Sequence, residues 1–352
     1  MALGPVMLDL RGSRIEADEY ELLRHPATGG VILFARNFES VAQLEALVHE
    51  IHDLREPHLL VAVDHEGGRV QRFHGEFTRL PPCGLFGRVY DRGKEHGLAL
   101  ADRAGWLMAA ELRGVGIDFS FAPVLDIDKG VSEVIGDRAF HRDVDSVMQL
   151  ARRYMDGMLR AGMAAVGKHF PGHGSVAADS HHELPVDERR FEDILMEDLR
   201  VFRYLIDNHL AAIMPAHVVY PLVDDRPAGF SRVWLQDVLR EQLGFQGAIF
   251  SDDLGMSGAA VAGDMAARAD AALAAGCDML LVCNNQAGAA AVLEHVKTAP
   301  PPATQARLMR MQGRRAPALA ELQQLEQWRT LAAEIGTLDR TPELDLDNDQ
   351  LV

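Results

Sequence analysis

Eight short apolar runs punctuate the chain: PVMLDL (5–10), GGVILF (29–34), HLLVAVD (58–64), IDFSFAPVLDI (117–127), MAAVGKHF (163–170), AAIMPAH (211–217), GAIFSD (247–252) and DMLLVCN (278–284). Each is too uniformly apolar to turn one face to water. Such runs mark strands covered on both faces, the condition of a parallel sheet. Between them lie stretches with helical periodicity: 40–54, 94–114, 143–162, 231–244 and 266–276. Several of these end in glycine, and Ser40 and Ser231 stand where N-caps are needed. Eight β-runs alternating with helices predict an α/β fold, a single (β/α)8 TIM-type barrel. Two further helical stretches, TQARLMRMQG and ALAELQQLEQWRTLAAEI, follow residue 300 and are predicted to pack on the barrel exterior. The pattern therefore assigns residues 1–338 to one barrel domain with extra C-terminal helices, and residues 339–352, acidic and poorly patterned, to a disordered tail.

The polar residues that end these runs are more informative than the runs. They are Asp9 and Arg11; Arg36 and Asn37; Asp64, His65 and Glu66; Asp126 and Asp128; Lys168 and His169; His217; Asp252 and Asp253; Asn284 and Asn285. In a barrel these positions converge on the C-terminal rim, where active sites of this architecture sit. Solvation alone would favour Lys, Glu and turn residues without such regularity.

Four stretches carry candidate chemistry. In VDHEGGRVQRF (63–73), Asp64 ends a buried strand, a Gly-Gly pair permits a sharp turn, and Arg69 and Arg72 follow. A carboxylate and a guanidinium on one rim can fork-bond hydroxyls or a carboxylate, or simply pair to stabilise a turn. VIGDRAFH (134–141) places Arg138 in a loop after the fourth strand, where a surface role is equally open. GKHFPGHGSVAADSHHELP (167–185) ends the fifth strand on Lys168 and His169 and continues through a glycine-bearing loop to Asp179-Ser180-His181. An Asp two residues before a His can hold the imidazole in one tautomer and raise its basicity, so the pair can pass protons near neutral pH. In GFQGAIFSDDLGM (244–256), Asp252 directly follows an apolar strand. It suits a nucleophile, a general base or a metal ligand, and Asp253 can take the helix-capping role beside it.

Composition narrows the function classes. The chain has 352 residues, 48% hydrophobic and 25% charged, in the ordinary globular range. A formal net charge of −17 argues against nonspecific nucleic-acid or anionic-membrane binding, both of which need a basic surface. Cys83, Cys277 and Cys283 form no CxxC and read as small core residues of a reducing compartment. The N-terminal MALGPVMLDLRG lacks a basic n-region and is broken by Asp9, so it does not read as a signal peptide. No run approaches the roughly 18 apolar residues of a transmembrane helix. These features predict a cytoplasmic protein, and without a strong interface signature a monomer is the default.

KHFPGHG, the following DSH, MPAH and FSDDLGM, with VDHEGGRVQRF upstream, together resemble the family 3 glycoside hydrolases. Within them the resemblance is to the bacterial cytoplasmic β-N-acetylhexosaminidases of peptidoglycan recycling, and it runs from about residue 5 to about residue 335. It implies a retaining enzyme with Asp252 as nucleophile, His181 as general acid/base and Asp179 orienting His181. It implies that Asp64, Arg72, Arg138, Lys168 and His169 bind a terminal N-acetylglucosamine, and that the substrates are muropeptides. No cofactor or metal is implied; a metal-dependent amidohydrolase barrel would carry HxH after its first strand, where this chain has DLRG. One departure is His65, where members usually carry Gln. Two other readings share these residues: a phosphorylase, in which phosphate replaces water in the second step, and a noncatalytic sugar-binding regulator.

Overall fold

The computed structural model describes residues 2–177, 184–297 and 300–338. All eight apolar runs contain parallel strands: β1 (Val6–Asp9), β2 (Thr28–Leu33), β3 (Leu60–Val63), β4 (Phe119–Ser120), β5 (Val166–Phe170), β6 (Ala212–Pro215), β7 (Ala248–Ile249) and β8 (Leu280–Val282). Every residue in them is buried, which is why the runs show no alternation. The strands form a five-stranded sheet in the order β8-β1-β2-β3-β4 and a three-stranded sheet in the order β7-β6-β5. Single parallel bridges join the sheets at both pairs of edges, Val124 to Lys168 and Phe250 to Met279. Phe119 and Phe121, from the chain of β4, meet Phe250, just past β7, with ring centroids 5.3 and 5.5 Å from its own. That aromatic cluster fills the space between the two sheets. One apolar cluster continues from Leu3 to Ile335.

The predicted helices form at Val41–Asp53, Lys94–Gly114, Val144–Arg160 and Met265–Ala275. Ser40 caps the first of these by accepting a hydrogen bond from the Gln43 amide at 3.2 Å. Gly276, at φ 117°, closes the last in the left-handed conformation. The Lys94–Gly114 and Val144–Arg160 helices approach so closely that a Cβ at Gly157 would lie 2.1 Å from the Asp102 carbonyl oxygen. The 231–244 stretch departs from expectation, since Val233–Gln242 winds as a π-helix. Its buried residues Trp234, Leu235, Val238 and Leu239 recur at i+4 and i+5, a spacing that the wider turn gathers on one face. Ser231 still caps it, accepting from the Trp234 amide at 3.1 Å.

The predicted C-terminal helices form at Pro302–Met309, Leu319–Leu322 and Glu326–Gly336. The last packs on Lys94–Gly114 through polar contacts: Trp328 donates its indole N–H to Glu111 at 2.9 Å, and Arg103 pairs with Glu334 at 2.9 Å. Glu111 also accepts from the Thr78 amide at 2.9 Å and the Thr78 hydroxyl at 2.6 Å. The predicted tail, 339–352, lies outside the described residues. No described helix is long and apolar enough to cross a membrane.

Burial holds the Glu111 carboxyl up at about 7, against the lowering effect of its Thr78 and Trp328 donors. The folded chain therefore keeps a proton that the unfolded chain releases near pH 4.5. This contribution to stability is complete below pH 4.5 and is lost as pH rises through about 7. Linkage puts its size at about 3 kcal/mol. Thermal melts from pH 4.5 to 8 should show wild-type Tm falling more steeply than that of Glu111→Gln, which has no such proton to lose. Parallel curves would remove Glu111 as the source.

Candidate active site

Many of the molecule's buried charged side chains lie at or just past the C-terminal ends of the parallel strands. Asp64 follows β3, and the chain then folds back as a short antiparallel hairpin, His65–Gly67 against Val70–Gln71. Gly67 and Gly68, at φ 104° and 57°, make this turn, and a Cβ at Gly67 would lie 2.5 Å from the Pro81 carbonyl oxygen. The hairpin delivers Glu66 to the Lys168 ammonium on β5. Lys168 Nζ lies 2.7 Å from Asp64 Oδ1 and 2.7 Å from Glu66 Oε1. Arg138, in the 3-10 turn Gly136–Arg138, forks onto Glu66 from Nε at 2.9 Å and Nη2 at 2.8 Å.

Two carboxylates and two cations are thus buried together. Burial alone would raise the Glu66 carboxyl, yet Arg138 and Lys168 hold it well below the carboxylate range. Burial would lower the Lys168 ammonium, and Asp64 and Glu66 together raise it. Glu66, Lys168 and Arg138 therefore stay charged. Lys168 gives two of its three donors to these carboxylates.

His169, the next residue on β5, bonds from Nδ1 to Asp126 Oδ2 at 2.7 Å. The other Asp126 oxygen accepts the His173 amide at 2.7 Å. Burial would raise Asp126, but His169 and then His173 keep it low. An Nδ1 held against a carboxylate fixes the orientation of the ring and leaves Nε2 on its far side. The Lys168–His169 peptide is cis. Arg72 is buried beside Phe34 from the chain past β2, its guanidinium 5.5 Å from the ring centroid.

Asp252 follows the strand run of β7 and is 8% exposed. Its Oδ1 accepts the Asp253 amide at 2.8 Å. Asp253 has a separate structural role. Its Oδ1 accepts the amides of Gly255 at 2.9 Å and Cys283 at 3.0 Å, pinning the turn to the end of β8. It braces this turn rather than capping a helix. Burial raises Asp253 to about 7 against those two amides, and neighbouring Asp252 and Asp9 push the same way. Below about pH 7 Asp253 carries a proton and adds no second anion beside Asp252. Burial raises the Cys283 thiol, and the fields of Asp253, Asp9, Asp64 and Asp252 push it the same way.

The structure therefore sets Asp64, Lys168, His169 and Asp252 at or just past the C-terminal ends of β3, β5 and β7, with Arg138 reaching the first group through Glu66 and Arg72 lying beside Phe34. Asp179 and His181 lie outside the described residues, which end at Ala177 and resume at Leu184. Two participants carry no assignment from the sequence: Glu66, the hub between Lys168 and Arg138, and Asp126, the partner of His169. Each ends or follows a strand run, which is the one signal that points to them. His65 is buried beside Phe73 and Phe77, with centroids 5.8 and 6.0 Å away. Burial lowers it to about 3, so it is neutral and serves as packing.

Residues 5–314 match the glycosyl hydrolase family 3 N terminal domain. The chain belongs to glycosyl hydrolase family 3. Among its family 3 relatives, a protein named beta-hexosaminidase from Thioalkalivibrio sulfidiphilus is 58% identical over 347 residues, 99% of this chain and 100% of that one. Another beta-hexosaminidase, from Methylobacillus flagellatus, is 58% identical over 90% of this chain and 91% of its own. The crystal structure of NagZ from Neisseria gonorrhoeae in complex with N-trifluoroacetyl-D-glucosamine superposes with a TM-score of 0.93 at 43% identity, covering 97% of this chain and 99% of that one. As a family 3 member, this protein is a glycoside hydrolase.

The buried ion cluster makes a stability claim. Lys168→Met leaves Asp64 and Glu66 facing each other with only Arg138 to offset them, and breaking such a buried network costs about 3–5 kcal/mol. Denaturant unfolding at pH 7 should show that loss. A change below about 1 kcal/mol would mean the cluster is solvated like a surface pair.

Proposed function

We propose that this family 3 enzyme is a retaining β-N-acetylhexosaminidase that removes terminal non-reducing N-acetylglucosamine from muropeptides, GlcNAc-β-1,4-anhydroMurNAc-peptides, in cytoplasmic peptidoglycan recycling. The observation that carries the reading is the position of Asp252, a buried carboxylate just past the C-terminal end of β7, as Asp64 and Lys168 with their ion cluster lie at the same ends of β3 and β5. The full-length likeness to beta-hexosaminidases and to NagZ holding an N-acylglucosamine analogue supports the substrate. We read the two sheets as one closed (β/α)8 barrel spanning residues 1–338; the bridges Val124–Lys168 and Phe250–Met279 support closure. Three buried free cysteines accord with a reducing cytoplasm.

In the first step a carboxylate oxygen of Asp252 bonds to the anomeric carbon as the glycosidic C–O bond breaks. His181 gives its proton to the departing oxygen. In the second step His181 takes a proton from water, whose oxygen bonds to the anomeric carbon and releases Asp252. Two inversions leave the β configuration unchanged. Asp179 fixes the tautomer of His181. A histidine in this role adds no anion beside Asp252, whereas a second carboxylate there would raise a pKa. Lys168, Arg138, His169, Asp64 and Arg72 hold the sugar for attack.

Asp252→Ala should lose turnover of 4-methylumbelliferyl β-N-acetylglucosaminide by at least about 10³-fold with an unchanged fold, and NMR of the wild-type reaction should show β-product first. Wild-type-like rates in the variant, or α-product first, would remove the assignment. His181→Ala should slow poor leaving groups far more than the aryl glycoside, because only the former need a proton. Equal losses on both would count against an acid role.

A further inference from the structure

At the opposite end of the parallel strands lies a group of side chains that the glycosidase chemistry does not use. His52 sits in the last turn of the helix Val41–Asp53, His58 precedes β3, and Asp118 precedes β4. Six residues of extended chain separate His58 from Asp64, so the two ends are roughly 20 Å apart. The His52 and His58 rings lie 4.2 Å apart between centroids. One potential ligand atom from each of the three residues lies within 4.8 Å of the other two.

We propose that His52, His58 and Asp118 form a zinc site with at least one position open to water. The distances suit it. Tetrahedral Zn2+ binds nitrogen and oxygen donors at about 2.0–2.2 Å, which places ligand atoms about 3.3–3.5 Å apart. His52 Nε2 lies 3.4 Å from Asp118 Oδ2. His58 Nδ1 lies 4.0 Å from the same oxygen, and a small ring rotation closes that gap at the expense of its 3.1 Å contact with the Leu59 carbonyl.

The surroundings point the same way. His52 Nε2 is buried, faces the carboxylate and makes no hydrogen bond among the described residues. Asp118 is locked from behind: Oδ2 accepts the Val61 amide and Oδ1 the Gly313 amide, each at 2.9 Å. Arg113 stands 3.6 Å from Oδ1, away from the oxygen shared by the histidines. Such supports fix a ligand's orientation before the ion arrives. The histidine side chains are 21% and 28% exposed, which gives the ion a route in and leaves room for water. Two imidazoles select zinc over calcium or magnesium, which prefer all-oxygen sets. The bound ion would tie the helix Val41–Asp53 to the entry of two strands and, through Gly313, to the C-terminal segment. It acts as a structural clamp remote from the glycan.

The test compares full-length wild type with His52→Ala/His58→Ala, both stripped with chelator. Zinc chloride titrated calorimetrically should show one more equivalent bound by wild type than by the double variant. Co2+ as a probe should give wild type d–d absorption that the double variant lacks. Zinc should raise wild-type Tm more than the variant's, and kcat/KM of the two metal-free proteins should agree. The conservative His58→Gln variant, changed at a partly exposed position, repeats the comparison if the double variant melts before binding can be read. Equal stoichiometry, affinity and Co2+ spectra in wild type and variants would overturn the proposal.

Discussion

A buried quartet of ionisable side chains constrains the C-terminal ends of the parallel strands. Asp64, Lys168, Glu66 and Arg138 come from a strand end, a second strand, a hairpin and a 3-10 turn, and none is more than 10% exposed at its side chain. Removing four charges from water is costly, and only close mutual contact offsets that cost. Each element must therefore stand where its charge finds a partner. Asp64 and Glu66, two residues apart in extended chain, share a face and both reach Lys168, and the tight turn at Gly67 and Gly68 then reverses the chain. The neighbouring His169–Asp126 pair extends the ordered polar surface, and the Asp253 brace sets Asp252 at the end of its strand.

The other end of the strands is built on a different principle. There, single buried carboxylates tie peripheral segments to the sheet. Asp278, ahead of β8, accepts from the Ile249 amide at 2.9 Å, from Arg240 at 2.9 Å, from the Thr304 hydroxyl at 2.6 Å and from Arg307 at 3.1 Å. Asp118 similarly joins Val61 to Gly313. These hubs anchor the C-terminal helices to the strands. One end thus aims polar groups toward a ligand, while the other uses them to fasten the chain, a division that lets the glycan-facing loops vary without loosening the frame.

Much of this is legible in the residue order, for identifiable reasons. Strands buried on both faces leave uninterrupted apolar runs, so all eight are visible. Ser40 and Gly276 mark helix ends because unsatisfied backbone groups demand such residues there. Residues closing a run, such as Asp64, Lys168 and Asp252, stand out as polar breaks after apolar stretches. What stays hidden depends on contacts distant in sequence. Arg138 looks like a surface arginine because its partner Glu66 lies 72 residues away. Asp126 gives no sign that His169, 43 residues on, needs it. His65 looks like a rim group, yet it packs against Phe73 and Phe77 on the other side of its hairpin. The π-helix at Val233–Gln242 reads as an α-helix in sequence because its buried residues satisfy both spacings over so short a length.

Catalysis by the proposed route requires one carboxylate to become covalently bonded to the sugar. Incubation with a 5-fluoro-β-N-acetylglucosaminyl fluoride, which slows release from the enzyme, followed by intact-mass analysis and peptide mapping, captures that bond if it forms. One sugar-mass adduct per chain, mapped to Asp252, is the expected result. Rapid turnover with no adduct under conditions that trap other retaining glycosidases, or an adduct on a different side chain, would contradict it.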